Sequence, residues 1–261
     1  MTTITSSPSV QAASRKPASN RVLAVLRLHF VNIPTIFLWP LAILVTIWLV
    51  NLAIWWLVDI NVSAPTDLAE ARDGFGWTGA ATFIFVYMMV VAIQAMSLTF
   101  PFALGYGVTR RDFYLGSVVA FILMSLVWTV VLTAFAVLEE NSGGWGLGGR
   151  MFTGYLFGAG EWYQRSFVYL VGMLFFFFVG SAIATVWLRW KASGVTVFFI
   201  ILTVLLVALA ALVTVTRTWP AVGDWFATTG YYGVVAWSLI PAVIAAVAGY
   251  FILQRSTPKN S

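Results

Sequence analysis

The chain of 261 residues contains no cysteine. That excludes a disulfide framework and thiolate chemistry, and it leaves the redox compartment unmarked. His29 is the single histidine, so at most one imidazole is on offer to a metal. Charge is scarce too: Asp, Glu, Lys and Arg make up 9% of the residues, against 61% hydrophobic and 16% aromatic. With a mean hydropathy of +0.93, there is more apolar surface than one water-soluble core of this length could bury, which specifies a membrane protein. The same scarcity argues against an intramembrane enzyme, because no apolar stretch offers a nucleophile with a base, a metal cluster or paired carboxylates. Nor does any apolar stretch hold the titratable groups of a proton-coupled carrier. His29, with no second histidine beside it, reads as a neutral surface or capping residue.

What is present is a series of charge-free apolar runs of the roughly 20 residues that a helix needs to cross the hydrocarbon. Six such runs lie within 36–58, 79–100, 113–138, 166–188, 192–216 and 231–253. FFFF at 175–178 and VLLVALAALV at 204–213 do not alternate polar with apolar residues, so a β-barrel is excluded. The expected fold is an all-α polytopic membrane protein with six transmembrane helices over residues 35–254. Before them, residues 20–34 place Val22, Leu23, Leu26, Phe30 and Ile33 on one helical face, as in an amphipathic helix lying along the interface until Pro34 turns the chain inward. Residues 1–19 lack the apolar core of a secretory signal and read as a disordered cytoplasmic tail; 255–261 form a second short tail.

An even number of spans puts both termini on one side. Ten of the fourteen basic residues fall there, and only one of the nine acidic residues, Asp112. That bias makes both termini cytoplasmic. The net charge of +5 is thus spread over several short segments, and no patch for nucleic acid results. Trp55, Trp56, Trp77, Trp145, Trp162, Trp219 and Trp225 map to outer span ends and Trp39, Trp187 and Trp190 to inner ones, as interfacial belts do. GWGLGG at 144–149 satisfies the G-x-G-x-x-G pattern, but no strand precedes it and it lies outside, so it is not a nucleotide site. With Met151, Phe152, Tyr155, Leu156 and Phe157 behind it, it reads as an aromatic loop resting on the outer interface. Within the spans, Asn51 and Gln94 are the polar residues that could line a pathway or bond between helices, and Gly180, Ser181 and Ala184 could let helices approach closely. Met88, Met89 and Met96 read as packing.

The connection between the second and third runs, PFALGYGVTRRDF at 101–113, is the most informative stretch. Pro101 to Leu104 can start a short helix that Gly105 and Gly107 end. Thr109 to Asp112 matches the [ST]-x-x-[DE] capping box ahead of an apolar run. Arg110 and Arg111 do not suit a helix N-terminus, so either topology or an acidic partner must favour them. Together with Phe102 and Tyr106 they have the makings of a docking knob.

LGYGVTRRDFYLGS at 104–117 resembles the stretch that follows the second span in ABC type-2 exporter permeases, and GSAIATVWLRWKASG at 180–194 resembles the next cytoplasmic hairpin of bacterial members. The chain departs from that pattern with Lys191, Ala192 and Ser193 ahead of Gly194, and with a long Gly-rich and aromatic loop after the third span. The resemblance implies a bacterial cytoplasmic-membrane permease that forms a pathway for an apolar or amphipathic substrate together with a second copy or a paralogue. It also implies a coupling segment formed by Phe102, Leu104, Tyr106, Thr109, Arg110, Arg111 and Asp112, docked on a separate P-loop ATPase. The chain has no G-x-x-x-x-G-K-[ST] loop, so ATP and Mg belong on that partner and no cofactor on this chain. A non-transporting anchor or sensor subunit is the alternative.

Overall fold

The computed structural model describes residues 18–255. The two expected tails, but for their innermost residues, lie outside the described residues. Among the described residues there is no strand. The order is α1 (Ala18–His29), α2 (Trp39–Asn61, entered through a π-helical turn at Pro34–Leu38), α3 (Pro65–Gly74), α4 (Phe83–Gly105), α5 (Arg110–Asn141), α6 (Trp162–Val215), α7 (Trp219–Trp237) and α8 (Leu239–Gln254). Five helical stretches are long and apolar enough to cross a membrane: Pro34–Asn61, Pro65–Gly105, Arg110–Asn141, Trp162–Val215 and Trp219–Gln254.

The fourth and fifth apolar runs share α6, whose backbone breaks at Lys191 (φ 59°, ψ −151°). In a straight helix, residues eight apart are separated by about 12 Å. Here a methyl built on Gly194 would lie 3.5 Å from Val186 Cγ1, so the chain folds back sharply at the break. The tight contact requires glycine: the same methyl would sit 2.2 Å from Trp190 Cβ.

The core lies between α4, α5, the first arm of α6 and α8. Met88, Met96, Phe121, Trp128, Tyr169 and Phe177 are fully buried there, and the Phe121 and Phe177 rings stack at 5.1 Å. Gly180, Ser181 and Ala184 do mark a close approach: a methyl on Gly180 would meet the Met89 carbonyl at 2.6 Å, and all three residues are buried. The second arm of α6, 192–215, is exposed over nearly all its length. A helix that is apolar all round without protein neighbours is suited to hydrocarbon.

α1 ends at His29. Of its expected face, Leu26 and Phe30 pack partly buried against the core while Leu23 and Ile33 remain exposed, and the side chains buried outright are Val25 and His29. It seats on α5 at Gly116, where an added methyl would lie 2.6 Å from Val25 Cβ and 3.0 Å from the Val22 carbonyl. Packing against a protein neighbour, not against lipid alone, therefore sets its orientation. Of the tryptophans expected at span ends, Trp39, Trp56, Trp77, Trp162, Trp187, Trp190, Trp219 and Trp225 are exposed, while Trp145 packs partly buried against the core. Trp55 is buried, covered by Phe75 with ring centroids at 5.6 Å and by the backbone at Gly149.

Candidate functional site at the α4–α5 junction

No separate short helix starts at Pro101. α4 runs through it to Gly105, because the burial of Phe100 and Ala103 on the same turn holds the helix across the missing N–H. The end of α4 is then closed in two places. Val108 N donates to the Ala103 carbonyl (3.2 Å) and Gly107 N to that of Leu104 (3.0 Å), with Gly107 at φ 76°. This is the Schellman arrangement, which needs a left-handed residue at that position. Leu104 and Val108 pack against the core beneath.

α5 starts at once. Thr109 is extended (φ −74°, ψ 153°) and its Oγ1 accepts from Asp112 N at 3.1 Å, the expected N-cap. The buried Asp112 carboxylate turns instead to Arg21 of α1, Nη1 to Oδ2 3.9 Å. Arg110 also has a partner, donating from Nη1 to the Gln254 carbonyl at 2.9 Å. It therefore caps the C-terminus of α8, the end of a helix where a cation is favoured. Arg111 is exposed and makes no hydrogen bond or ion pair among the described residues. Beside it Phe102 (55% exposed) and Tyr106 (75% exposed) face outward with ring centroids 4.8 Å apart. Of the expected coupling residues, Leu104, Thr109, Arg110 and Asp112 build the junction, and Phe102, Tyr106 and Arg111 project from it.

Phe102 also ends a ridge of α4. Val86, Val90, Gln94 and Leu98 precede it at steps of four, and all are exposed; such rows are the ridges by which helices pack on one another. The Gln94 amide has no partner among the described residues. Asn51, by contrast, is buried and donates from Nδ2 to the Ile47 carbonyl of its own helix at 2.8 Å, so that donor serves no other helix. His29 is not at the surface. It is buried between Phe113 and Phe121, with centroids 5.9 and 5.8 Å away, and its Nδ1 bonds the Val25 carbonyl at 3.0 Å. Burial pushes its pKa below the ordinary value, so the ring is neutral.

No protein-family model, curated protein or solved structure matches this chain. Among the described residues, no group of three or more His, Asp or Glu could hold a metal ion.

The opposite end of the bundle is also built, in a way the sequence does not announce. The expected interfacial aromatic loop instead packs inward. Met151, Phe152 and Phe157 are buried, and Phe152 stacks on Phe135 at 4.9 Å. The cause is Glu139, 1% exposed at the end of α5. Its carboxylate accepts from the backbone N–H groups of Met151 (3.0 Å), Phe152 (3.0 Å) and Thr153 (2.8 Å), from Thr153 Oγ1 (2.7 Å) and from Trp145 Nε1 (3.1 Å). Successive amides turned onto one anion form a nest, and here the anion belongs to the protein. The glycines of GWGLGG serve this packing: a methyl on Gly149 would lie 2.1 Å from Trp55 Cζ3.

Proposed function

We propose that the chain is the transmembrane permease subunit of an ABC exporter, carrying an apolar or amphipathic substrate and driven by a separate P-loop ATPase docked at the α4–α5 junction. What carries the reading is the division of labour at that junction. Thr109, Arg110 and Asp112 are engaged internally, which leaves Phe102, Tyr106 and Arg111 as an outward aromatic and cationic knob. Aromatics and arginine are the side chains that most often anchor protein interfaces. The knob sits on a stiff mount. A load on it reaches α8 through the Arg110 contact with Gln254 and α1 through the Asp112 contact with Arg21.

In this reading the two arms of α6 are separate crossings, which makes six, and the distribution of basic residues puts the junction and both termini in the cytoplasm of a bacterial cell. The ridge through Gln94 favours a second permease, identical or paralogous, on the α4 side. An unpartnered amide in hydrocarbon costs a few kcal/mol, which a facing helix would remove.

The test is purification of the tagged protein from its native membrane in mild detergent, with mass spectrometry of what remains bound. The expected result is a P-loop ATPase that is lost on Arg111→Glu and weakened on Phe102→Ala, with the abundance of the permease unchanged. If no ATPase is recovered from the wild type even after cross-linking, the reading fails. ATPase activity that does not respond to any substrate would instead favour an anchor or sensor.

A further inference from the structure

α3, the end of α5, the 143–159 loop and the first turn of α6 line an open cavity of about 600 Å³ at the end of the bundle away from the junction. It is lined by three guanidinium groups, from Arg72, Arg150 and Arg165, and three carboxylates, from Asp73, Glu139 and Glu140. With Asp59, which pairs with Arg72 from outside the lining, carboxylates outnumber guanidinium groups, so no general positive potential draws anions here. An anion can be held only where individual donors are unmet.

The carboxylates are largely provided for by the protein. Glu139 is saturated by the loop amides, the Thr153 hydroxyl and the Trp145 indole, Asp73 accepts from the Tyr155 hydroxyl, and Glu140 meets Arg165 at 3.3 Å. The guanidinium groups are not. Arg165 is only 4% exposed; Nη1 reaches Glu140 Oε2 and Nη2 reaches the Gly160 carbonyl at 3.2 Å, but its buried Nε has no acceptor. Arg72 gives Nη2 to Asp59 at 2.6 Å, and its Nε is likewise buried without an acceptor. Arg150 reaches only the Tyr155 hydroxyl, at 3.2 Å. Both Nε atoms are sealed from solvent, so what a ligand in the cavity meets are the Nη N–H groups that these contacts leave over on Arg72 and Arg165 and the nearly free guanidinium of Arg150.

We propose that this cavity is a binding site for a phosphate oxyanion, taken by Arg165 from the α6 side, Arg72 from α3 and Arg150 from the loop. Donors arriving from three elements suit a group with several acceptor oxygens, and guanidinium pairs with phosphate in a bidentate, charge-assisted fashion. The phosphate can belong to a water-soluble ligand or to a lipid headgroup. The site does not depend on the transport reading, and its test needs no ATPase.

The experiment is calorimetric titration of the full-length protein in detergent, first with inorganic phosphate and then with dihexanoyl phosphatidylglycerol below its micellar concentration. Saturable binding of inorganic phosphate supports the site with a soluble ligand, and saturable binding of the lipid alone supports it with a headgroup. In either case Arg150→Gln and Arg165→Lys should each weaken binding about tenfold, the loss expected for a charge-assisted hydrogen bond. Arg150 is exposed, so its variant tests the site even where the buried Arg165 does not tolerate change. Arg255→Gln, at the far end of the bundle, should leave affinity unchanged. The proposal is overturned if neither probe saturates by about 10 mM, an affinity too weak for a built site, or if Arg255→Gln weakens binding as much as Arg150→Gln.

Discussion

Replacing Glu139 is the sharpest test of how the end opposite the junction is held. In Glu139→Gln one acceptor oxygen becomes an NH2 group. The better orientation keeps the oxygen toward Trp145 Nε1, Met151 N and Phe152 N, and lets the Thr153 hydroxyl reverse and accept. Thr153 N then faces another donor and is orphaned. One orphaned N–H, together with the loss of charge assistance in the bonds that remain, costs about 2–4 kcal/mol. Glu139→Ala orphans the indole and all three amides and should cost at least about 4 kcal/mol. The assays are unfolding of the detergent-solubilised protein by SDS and amide exchange of residues 144–158. A loss of about 3 kcal/mol raises the exchange rate at Met151, Phe152 and Thr153 roughly a hundredfold. Asp67→Asn, at an exposed position, should stay within about 0.5 kcal/mol of wild type. Unchanged exchange at the three amides in both Glu139 variants would show that the carboxylate does not organise the loop.

Two further predictions concern α1. Gly116→Val forces atoms into the place where a methyl would already lie 2.6 Å from Val25 Cβ, so α1 should be displaced at a cost of about 1–3 kcal/mol, read as faster amide exchange over residues 21–29. Burial holds the folded-state pKa of His29 below its ordinary 6.5, so the folded state binds fewer protons than the unfolded state once the pH drops below that value. The docking of α1 is then at full strength above pH 6.5 and weakens by up to about 1.4 kcal/mol per unit below it. Exchange corrected for intrinsic chemistry, between about pH 7.5 and 5, should show this slope in wild type and lose it in His29→Leu.

The membrane helices were legible because long charge-free runs leave the backbone no other way to satisfy its hydrogen bonds in hydrocarbon. The outward knob was partly legible too, since capping chemistry at Thr109 is local. What escaped depends on partners distant in sequence. Arg110 meets Gln254 across 144 positions, and nothing in TRRD distinguishes it from Arg111. The amides that bind Glu139 carry no side-chain signature at all. Trp55 and Trp56 are adjacent with the same composition around them, yet one is covered by Phe75 and the other is exposed. Periodicity does not reveal α3, because PTDLAEARDG shows no apolar stripe. Its signals were at the ends: Pro65 at the first position, Asp67 in the first turn and Arg72 in the last.

The break at Lys191 divides α6 into arms that tolerate change very differently. In the first arm, Gly172 faces Phe85 and Gly180 faces the Met89 carbonyl, with no room for a methyl at either place, so identity matters position by position. The second arm, through FFIILTVLLVALAALV, is exposed residue after residue, and only its summed hydrophobicity and helix propensity are constrained. Exchange of Leu for Ile or Val there should pass unnoticed where the same exchange twenty residues earlier would not. Divergence among descendants of this chain should therefore run fast on one side of Lys191 and slowly on the other, within what is nominally a single helix.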